Sequence, residues 1–184
     1  MGRTYEHIKQ LPSVSRMGGS QQRIFLIDYE DIQELKKHDL TLADPKERYK
    51  IKAPHVPLAN KGFIEVYVTK DTGSCKYTPI GGSDRKSFKA EGKFLHPGEG
   101  DAIVAFQNQV IHGRYIVMFT LPGSNELLQI GTDEFQVEIT PSYDTTTNGG
   151  DGRGTEFSFE CYMPALLKYI AAVPMLGVAA PAGN

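Results

Sequence analysis

Period-two alternation of apolar and polar residues in the second half of the chain is the feature that most constrains its fold. The clearest case is residues 156–161, where Phe157, Phe159 and Cys161 alternate with polar side chains. Successive side chains of a strand point to opposite faces of its sheet, so this segment predicts a strand with one core face and one polar face. The same alternation recurs at residues 64–68, 88–94 and 135–140. A chain with four such segments does not belong to the helical-bundle class.

Two other segments are continuous apolar runs. Residues 23–28 are short and rich in strand formers, and residues 115–121 end at a Pro-Gly-Ser-Asn turn. The apolar pattern resumes at residues 127–130. The second run therefore predicts a hairpin whose first strand is buried.

One segment has helical periodicity. Its apolar stripe repeats at i, i+3, i+4, i+7 and i+8 from Ile103, with Asp101 as the predicted N-cap and Gly113 as the predicted stop. The stripe consists of Ile103, Phe106, Gln107, Val110 and Ile111. A second short helix is predicted at residues 29–37, where acidic residues come first and lysines last. The fold class expected from these elements is mainly β (α+β), with about seven strands in a β-sandwich or half-barrel, one packed amphipathic helix and extended arms.

Composition and charge narrow the class of function. The chain has 184 residues, 40% of them hydrophobic, and a formal net charge of -2. A chain with this balance has no positive field that would draw it to nucleic acid or to an anionic membrane. The sequence contains no run of about 18 apolar residues. We therefore expect a soluble cytoplasmic protein with no membrane partner.

The distribution of Pro and Gly predicts one domain with arms. Residues 1–20 are predicted to be an N-terminal arm, residues 21–163 a single β domain, and residues 164–184 a C-terminal tail. Within the domain, residues 38–60 form a long loop with three prolines, and residues 144–154 form a glycine-rich hairpin loop. A loop of about 20 residues in a compact domain usually has a function, so residues 38–60 are a candidate contact loop.

A search for site chemistry finds no catalytic pattern. Cys75 and Cys161 are far apart in sequence and are predicted to be buried thiols, not a disulfide or zinc site. The glycine-rich loop leads into a strand, whereas a phosphate-binding loop needs a helix N-terminus behind it. The five histidines show no metal-binding spacing. We expect no enzymatic activity, no metal and no cofactor.

The order of elements resembles the tail tube proteins of long-tailed bacteriophages, a fold shared with the tubes of contractile injection systems. The resemblance extends from about residue 62 to residue 162, preceded by Gly18-Gly19 and the segment 23–31. The motifs that carry it are the helix at 103–111, the strand at 115–121 with its polar turn, the segment 127–132, the strand at 135–139, the loop at 144–154 and the strand at 155–160.

The resemblance implies a virion structural protein of the phage tail. Such subunits form hexameric rings that stack into a tube, and one sheet from each subunit lines a channel through which DNA passes without specific binding. The implied partners are other copies of the chain and the tape-measure, baseplate and terminator proteins of a tail. The implied location is the virion, after assembly in the host cytoplasm.

Two groups of residues follow as candidates for these roles. The polar sides of the strands would face the lumen or solvent, and the flexible segments would contact neighbouring subunits. The candidate lumen residues are Lys89, Glu91, Lys93, Glu138 and Glu160. The candidate subunit contacts are Arg23, Tyr49, Pro54, Asp144, Asn148 and Arg153.

Two alternatives remain open at this level. The first is a monomeric β-sandwich that binds a receptor or a carbohydrate, for which a pocket lined by Tyr49, Tyr67 and Tyr77 is expected. The second is another ring protein of a phage head-to-tail connector. A connector would differ from a tube protein in symmetry and copy number.

Overall fold

The structure is a computed structural model that describes residue 8 and residues 17–150 and 152–177. This part of the chain contains twelve strands, one α-helix and one 3-10 turn. The strands are β1 Arg23–Asp28, β2 Ile32–Glu34, β3 Lys50–Ile51, β4 Val56–Pro57, β5 Ile64–Tyr67, β6 Ser74–Ile80, β7 Ser87–Pro97, β8 Tyr115–Thr120, β9 Leu127–Ile130, β10 Glu138–Asp144, β11 Gly154–Met163 and β12 Leu167–Tyr169. The helix α1 is Asp101–Val110 and the 3-10 turn is Tyr29–Asp31.

The strands form two large sheets that face each other. One has six strands in the order β3-β12-β9-β8-β1-β5, and the other has four in the order β10-β11-β7-β6. Across the core the rings of Phe119 and Phe159 lie 6.5 Å apart, and the Tyr77 hydroxyl donates to the carbonyl of Gln129 at 3.3 Å. The mainly β, α+β fold class predicted from sequence is confirmed. The described part of the chain has five strands more than the expected seven. Four of them, β2, β3, β4 and β12, have only two or three residues each, too few to show alternation, and the fifth, β6, was not predicted.

The four-stranded sheet is organised by a long antiparallel pair. β7 and β11 are in register over ten residue pairs, from Gly154 opposite Pro97 to Met163 opposite Phe88. The core side chains alternate with polar ones along both strands, as predicted. Phe94 and Phe157 stack at 5.1 Å between centroids, and both are fully buried. One face of this sheet is therefore core and the other is polar.

The continuous apolar runs of the sequence are the central strands of the six-stranded sheet. Every residue of β8 is buried, and four of the six residues of β1 are. A strand buried on both faces needs apolar side chains at successive positions, which explains why these segments do not alternate. The predicted β8–β9 hairpin is also present, with Val117 opposite Ile130.

The helix lies where the periodicity places it, with different ends. Gly100 is the N-cap and Asp101 is the first helical residue, so the prediction of Asp101 as the cap is wrong. Ile103 and Val110 are buried, and the ring of Phe106 lies 5.4 Å from that of Phe157. Ile111, included in the predicted stripe, follows the last helical residue and is exposed.

The second predicted helix, at residues 29–37, is wrong. Its first residues form a single 3-10 turn, capped by the Asp28 side chain, which accepts from the Glu30 amide at 3.0 Å. The chain then enters β2, which pairs antiparallel with β4. Pairing with a strand more than twenty residues away overrides the weak local preference of the charges for a helix.

The strand predicted at 135–140 begins later than expected. Residues 132–135 form a turn in which the Thr132 amide donates to the Phe135 carbonyl at 2.7 Å. Phe135, predicted to face the core, is 47% exposed and contacts the ring of Tyr162. Val137 is buried, and its backbone exchanges two hydrogen bonds with Tyr115, which joins the two large sheets at one corner.

Residues beyond 163, predicted as a tail, contribute to the six-stranded sheet. β12 pairs antiparallel with β9 and parallel with β3. The chain then returns to the opposite edge, where the Phe63 amide donates to the Pro174 carbonyl and the Leu176 amide donates to the Phe63 carbonyl. A Cβ on Gly62 would lie 2.5 Å from the Leu176 nitrogen, so this close contact requires glycine. Residues 178–184 and most of the predicted N-terminal arm lie outside the described residues.

Truncating a buried ring should cost far more stability than truncating an exposed one. We expect Phe157→Ala to lower the free energy of unfolding by about 3–5 kcal/mol, since it removes the ring between Phe94 and Phe106. The matched variant Phe135→Ala, at a half-exposed ring, should lower it by at most about 1 kcal/mol. Urea unfolding followed by circular dichroism measures both values, and similar losses would contradict the assignment of core and surface.

Candidate functional site: the polar face of the four-stranded sheet

All five predicted lumen residues lie on one face of the four-stranded sheet, opposite the core. Cross-strand register arranges them in rows. One row runs from Glu138 on β10 through Glu160 and Glu91 to Lys76 on β6. The neighbouring row runs from Thr140 through Ser158 and Lys93 to Ser74. The structure therefore brings these five residues together and adds Lys76 and Glu156, which the sequence reasoning missed.

Lysines on β7 neutralise part of the acidic row. The Nζ atom of Lys89 lies 2.8 Å from a carboxylate oxygen of both Glu91 and Glu160. The hydrogen bond from Lys89 lowers the pKa of the Glu91 carboxyl, and the bonds to Glu160 and Glu91 raise the pKa of Lys89. Lys93 forms a separate pair with Glu156 at 2.8 Å. With three lysines and five carboxylates on its strands, the face has no excess of positive charge.

A shallow depression crosses the middle of this face. Its volume is about 310 Å³. The residues that line it are Glu91, Gly92, Glu138, Thr140, Ser158, Phe159 and Glu160. Within the described residues, no group of three or more His, Cys, Asp or Glu side chains has the geometry to hold a metal ion. The depression is open and polar, unlike the enclosed apolar pockets that bind most small ligands.

Both edges of this sheet are open within the described part of the chain. β10 and β6 are the terminal strands of the sheet order, and each pairs with only one neighbour. The outward N–H and C=O groups of an edge strand are a template for another strand. Each edge is therefore a candidate site for a further strand.

The predicted subunit contacts do not form one surface. Asp144, Asn148 and Arg153 share the β10–β11 hairpin, whereas Tyr49 immediately precedes β3, at one edge of the six-stranded sheet. Arg153 forms an ion pair with Glu99 of its own chain. Pro54 and Arg23 are exposed, and the guanidinium of Arg23 lies 5.6 Å from the centroid of the Phe25 ring.

The predicted contact loop at 38–60 is anchored to its own domain. His55 is 2% exposed, and its Nδ1 atom accepts from the Lys36 amide at 3.0 Å. Its Nε2 atom faces Gln129 Oε1 at 2.9 Å, and its ring lies 4.8 Å from that of Tyr169. The loop also contributes β3 and β4 to the sheets. This segment therefore packs on the six-stranded sheet and is not a free arm. The prolines in its sequence did not indicate this packing.

The tyrosine pocket expected for a monomeric binding module is not formed. Tyr77 is largely buried, with its hydroxyl bonded to Gln129 and its pKa raised by burial. Tyr67 lies on β5, whereas Tyr49 precedes β3 at the opposite edge of the six-stranded sheet, five strand spacings or about 24 Å away. The three rings cannot line one pocket.

The two cysteines are poor nucleophiles. Burial raises the pKa of Cys75 and of Cys161 to about 12, so both are protonated thiols at neutral pH. Cys161 is buried, as predicted, and Cys75 is half-buried.

Comparisons with known proteins found no match, so the functional conclusion rests on the geometry described above. No family model matches the chain, and no curated protein or solved structure is significantly similar to it. Across residues 17–150 and 152–177, no helix has the length and apolar character to cross a membrane.

The buried histidine should make stability depend on pH. Burial lowers the pKa of His55 from 6.5 to about 4, so the folded protein favours the neutral ring. The neutral ring contributes ~3 kcal/mol to the free energy of unfolding. This contribution is complete above about pH 6.5 and is lost as the pH falls toward 4. We expect His55→Gln to be less stable at pH 7 and to lose most of the slope of unfolding free energy between pH 6.5 and 4.5. The exposed-site control His112→Gln should retain that slope, and an unchanged slope in His55→Gln would refute the assignment.

The ion pairs of the polar face should be separable by titration. Lys89→Met removes the hydrogen bond that lowers the pKa of Glu91, so that pKa should rise toward its ordinary value. Lys93→Met removes a lysine of the same face that pairs with Glu156 instead, and it should leave Glu91 unchanged. Carboxyl-carbon NMR titration measures both. Equal responses to the two changes would contradict the pairing.

Proposed function

We propose that this protein is a virion structural protein, the tube subunit of a phage tail, which assembles into stacked rings around a channel for DNA. The observation that carries the proposal is the four-stranded antiparallel sheet with one core face, one polar face and two open edges. The resemblance of the element order to tail tube proteins supports the same conclusion.

The number of strands in this sheet suits ring formation. Adjacent strands alternate in direction along the order β10-β11-β7-β6, so the two edge strands run in opposite directions. When copies related by rotation join β6 of one to β10 of the next, the junction is antiparallel like every other pair. An odd number of strands would force a parallel junction. A ring of such copies, hexameric in this proposal, has a continuous antiparallel wall with no edge left open.

The charges of the polar face suit a channel for DNA. Lys89 and Lys93 are each paired with carboxylates, which leaves no cationic stripe along the sheet. A positive surface would bind the phosphate backbone and retain the DNA. A wall without excess positive charge lets DNA pass without adhering.

The remaining roles follow from the same assembly. The subunit binds other copies of itself and works with the tape-measure, baseplate and terminator proteins of the tail. It is located in the virion after assembly in the host cytoplasm. No side chain has a catalytic role in this proposal.

Self-assembly of the purified protein tests the function. We expect negative-stain electron microscopy to show rings or tubes with a central channel, and light scattering on the same sample to give a mass that is a multiple of 20.3 kDa. A receptor-binding or carbohydrate-binding module would instead stay monomeric. A strictly 20.3 kDa species at every concentration, including with tail initiator proteins added, would exclude the tube.

A further inference from the structure

The charges at the two open edges of the four-stranded sheet differ in sign. β6 carries Lys76 on its polar face, and β10 carries Glu138 and Asp144 near its two ends. Within the described residues none of the three has an ion-pair partner closer than 4.0 Å, unlike Lys89 and Lys93 in the interior of the sheet. The Oδ1 atom of Asp144 accepts from the Thr146 amide at 2.8 Å, and Lys76 lies opposite Glu91 in the register. The two edges therefore carry charges of opposite sign that form no ion pair within the described residues.

We infer that Lys76 on β6 of one copy pairs with a carboxylate on β10 of the next copy, and that this contact selects ring growth over closed dimers. The inference rests on the proposed function and names the contact that directs it. The two strands have seven residues each, Ser74–Ile80 and Glu138–Asp144, so they can overlap along their whole length.

Full overlap of β6 on β10 is electrostatically favourable. It places Ser74 opposite Asp144 and Lys76 opposite Ser142, with Asp144 one diagonal from Lys76. A long side chain reaches a diagonal neighbour across antiparallel strands. If the two strands shift by two residues, Lys76 lies opposite Thr140, and Glu138 becomes its diagonal neighbour. Lys76 therefore meets a carboxylate in either register, and the polar faces stay on one side.

Pairing of two like edges, β6 with β6 or β10 with β10, is electrostatically unfavourable. Full overlap of β6 with β6 leaves the two Lys76 side chains one diagonal apart. Full overlap of β10 with β10 places Glu138 directly opposite Asp144 at both ends. Like charges across a strand pair destabilise it. Homotypic pairing gives a closed two-fold dimer, whereas pairing of different edges gives a ring or filament, so the edge charges favour the open-ended assembly.

Charge reversal tests the inference on the full-length protein. Lys76→Glu should raise the concentration needed for half-assembly at least roughly tenfold, because a carboxylate then faces the carboxylates of β10. Restoration by Lys76→Glu with Asp144→Lys would identify Asp144 as the partner, and restoration by Lys76→Glu with Glu138→Lys would identify Glu138. Either restoration supports the inference. Circular dichroism and thermal unfolding verify that each variant is folded.

Matched controls separate this contact from a general charge effect. Lys86→Glu makes the same change at an exposed site in the β6–β7 turn, and Glu65→Lys makes the opposite change on β5. Both should assemble like the wild type. If Lys76→Glu also assembles like the wild type, or if neither double variant restores assembly, the edge contact is wrong while the tube function stands. If the wild type never assembles, the tube function fails first and the edge contact fails with it.

Discussion

The antiparallel pair of β7 and β11 is the constraint on which the rest of the molecule depends. Ten residue pairs in unbroken register force every second side chain of both strands to the same face. A slip of one residue between the strands would move the apolar side chains of one of them to solvent and place its charged side chains in the core. Because that cost is prohibitive, the pair fixes at once the core, the polar face and the rows into which the charges of that face align.

The six-stranded sheet solves a different problem, since its central strands are apolar on both sides. The loop at 38–60 packs against this sheet, with the ring of His55 next to Tyr169 of β12 and next to Phe63. His55 joins this loop to β9 through Gln129, and Gln129 in turn donates to the Gly131 carbonyl. The covering of one sheet leaves the polar face of the other sheet free, so the two faces of the sandwich differ in what they offer a partner.

Sequence pattern predicted those parts of the fold that are set locally. Alternation predicted the half-buried strands and their polar residues, and helical periodicity predicted α1. Each period identifies the side chains that share one face of a strand or a helix. Two of the failures are at positions set by distant contacts: residues 32–34 pair with β4, and His55 is buried by partners up to 114 positions away. A third is local, since the turn at residues 132–135 faces Phe135 outward and interrupts the alternation. Five residues of the candidate face were predicted from alternation, whereas Lys76 lies on the unpredicted strand β6 and its alignment with Glu138 requires the register of all four strands.

In the proposed assembly, the edge strands also limit how strongly two copies associate. Each carries a proline, Pro79 on β6 and Pro141 on β10, and proline lacks the backbone N–H that a ladder uses. A single junction of the proposed ring is therefore incomplete and weak, and such an edge resists uncontrolled strand pairing. Closing the proposed ring changes the balance, because the last subunit makes two junctions while losing its freedom only once. Under this proposal, weak, charge-selected junctions combined with closure favour complete rings over partial ones.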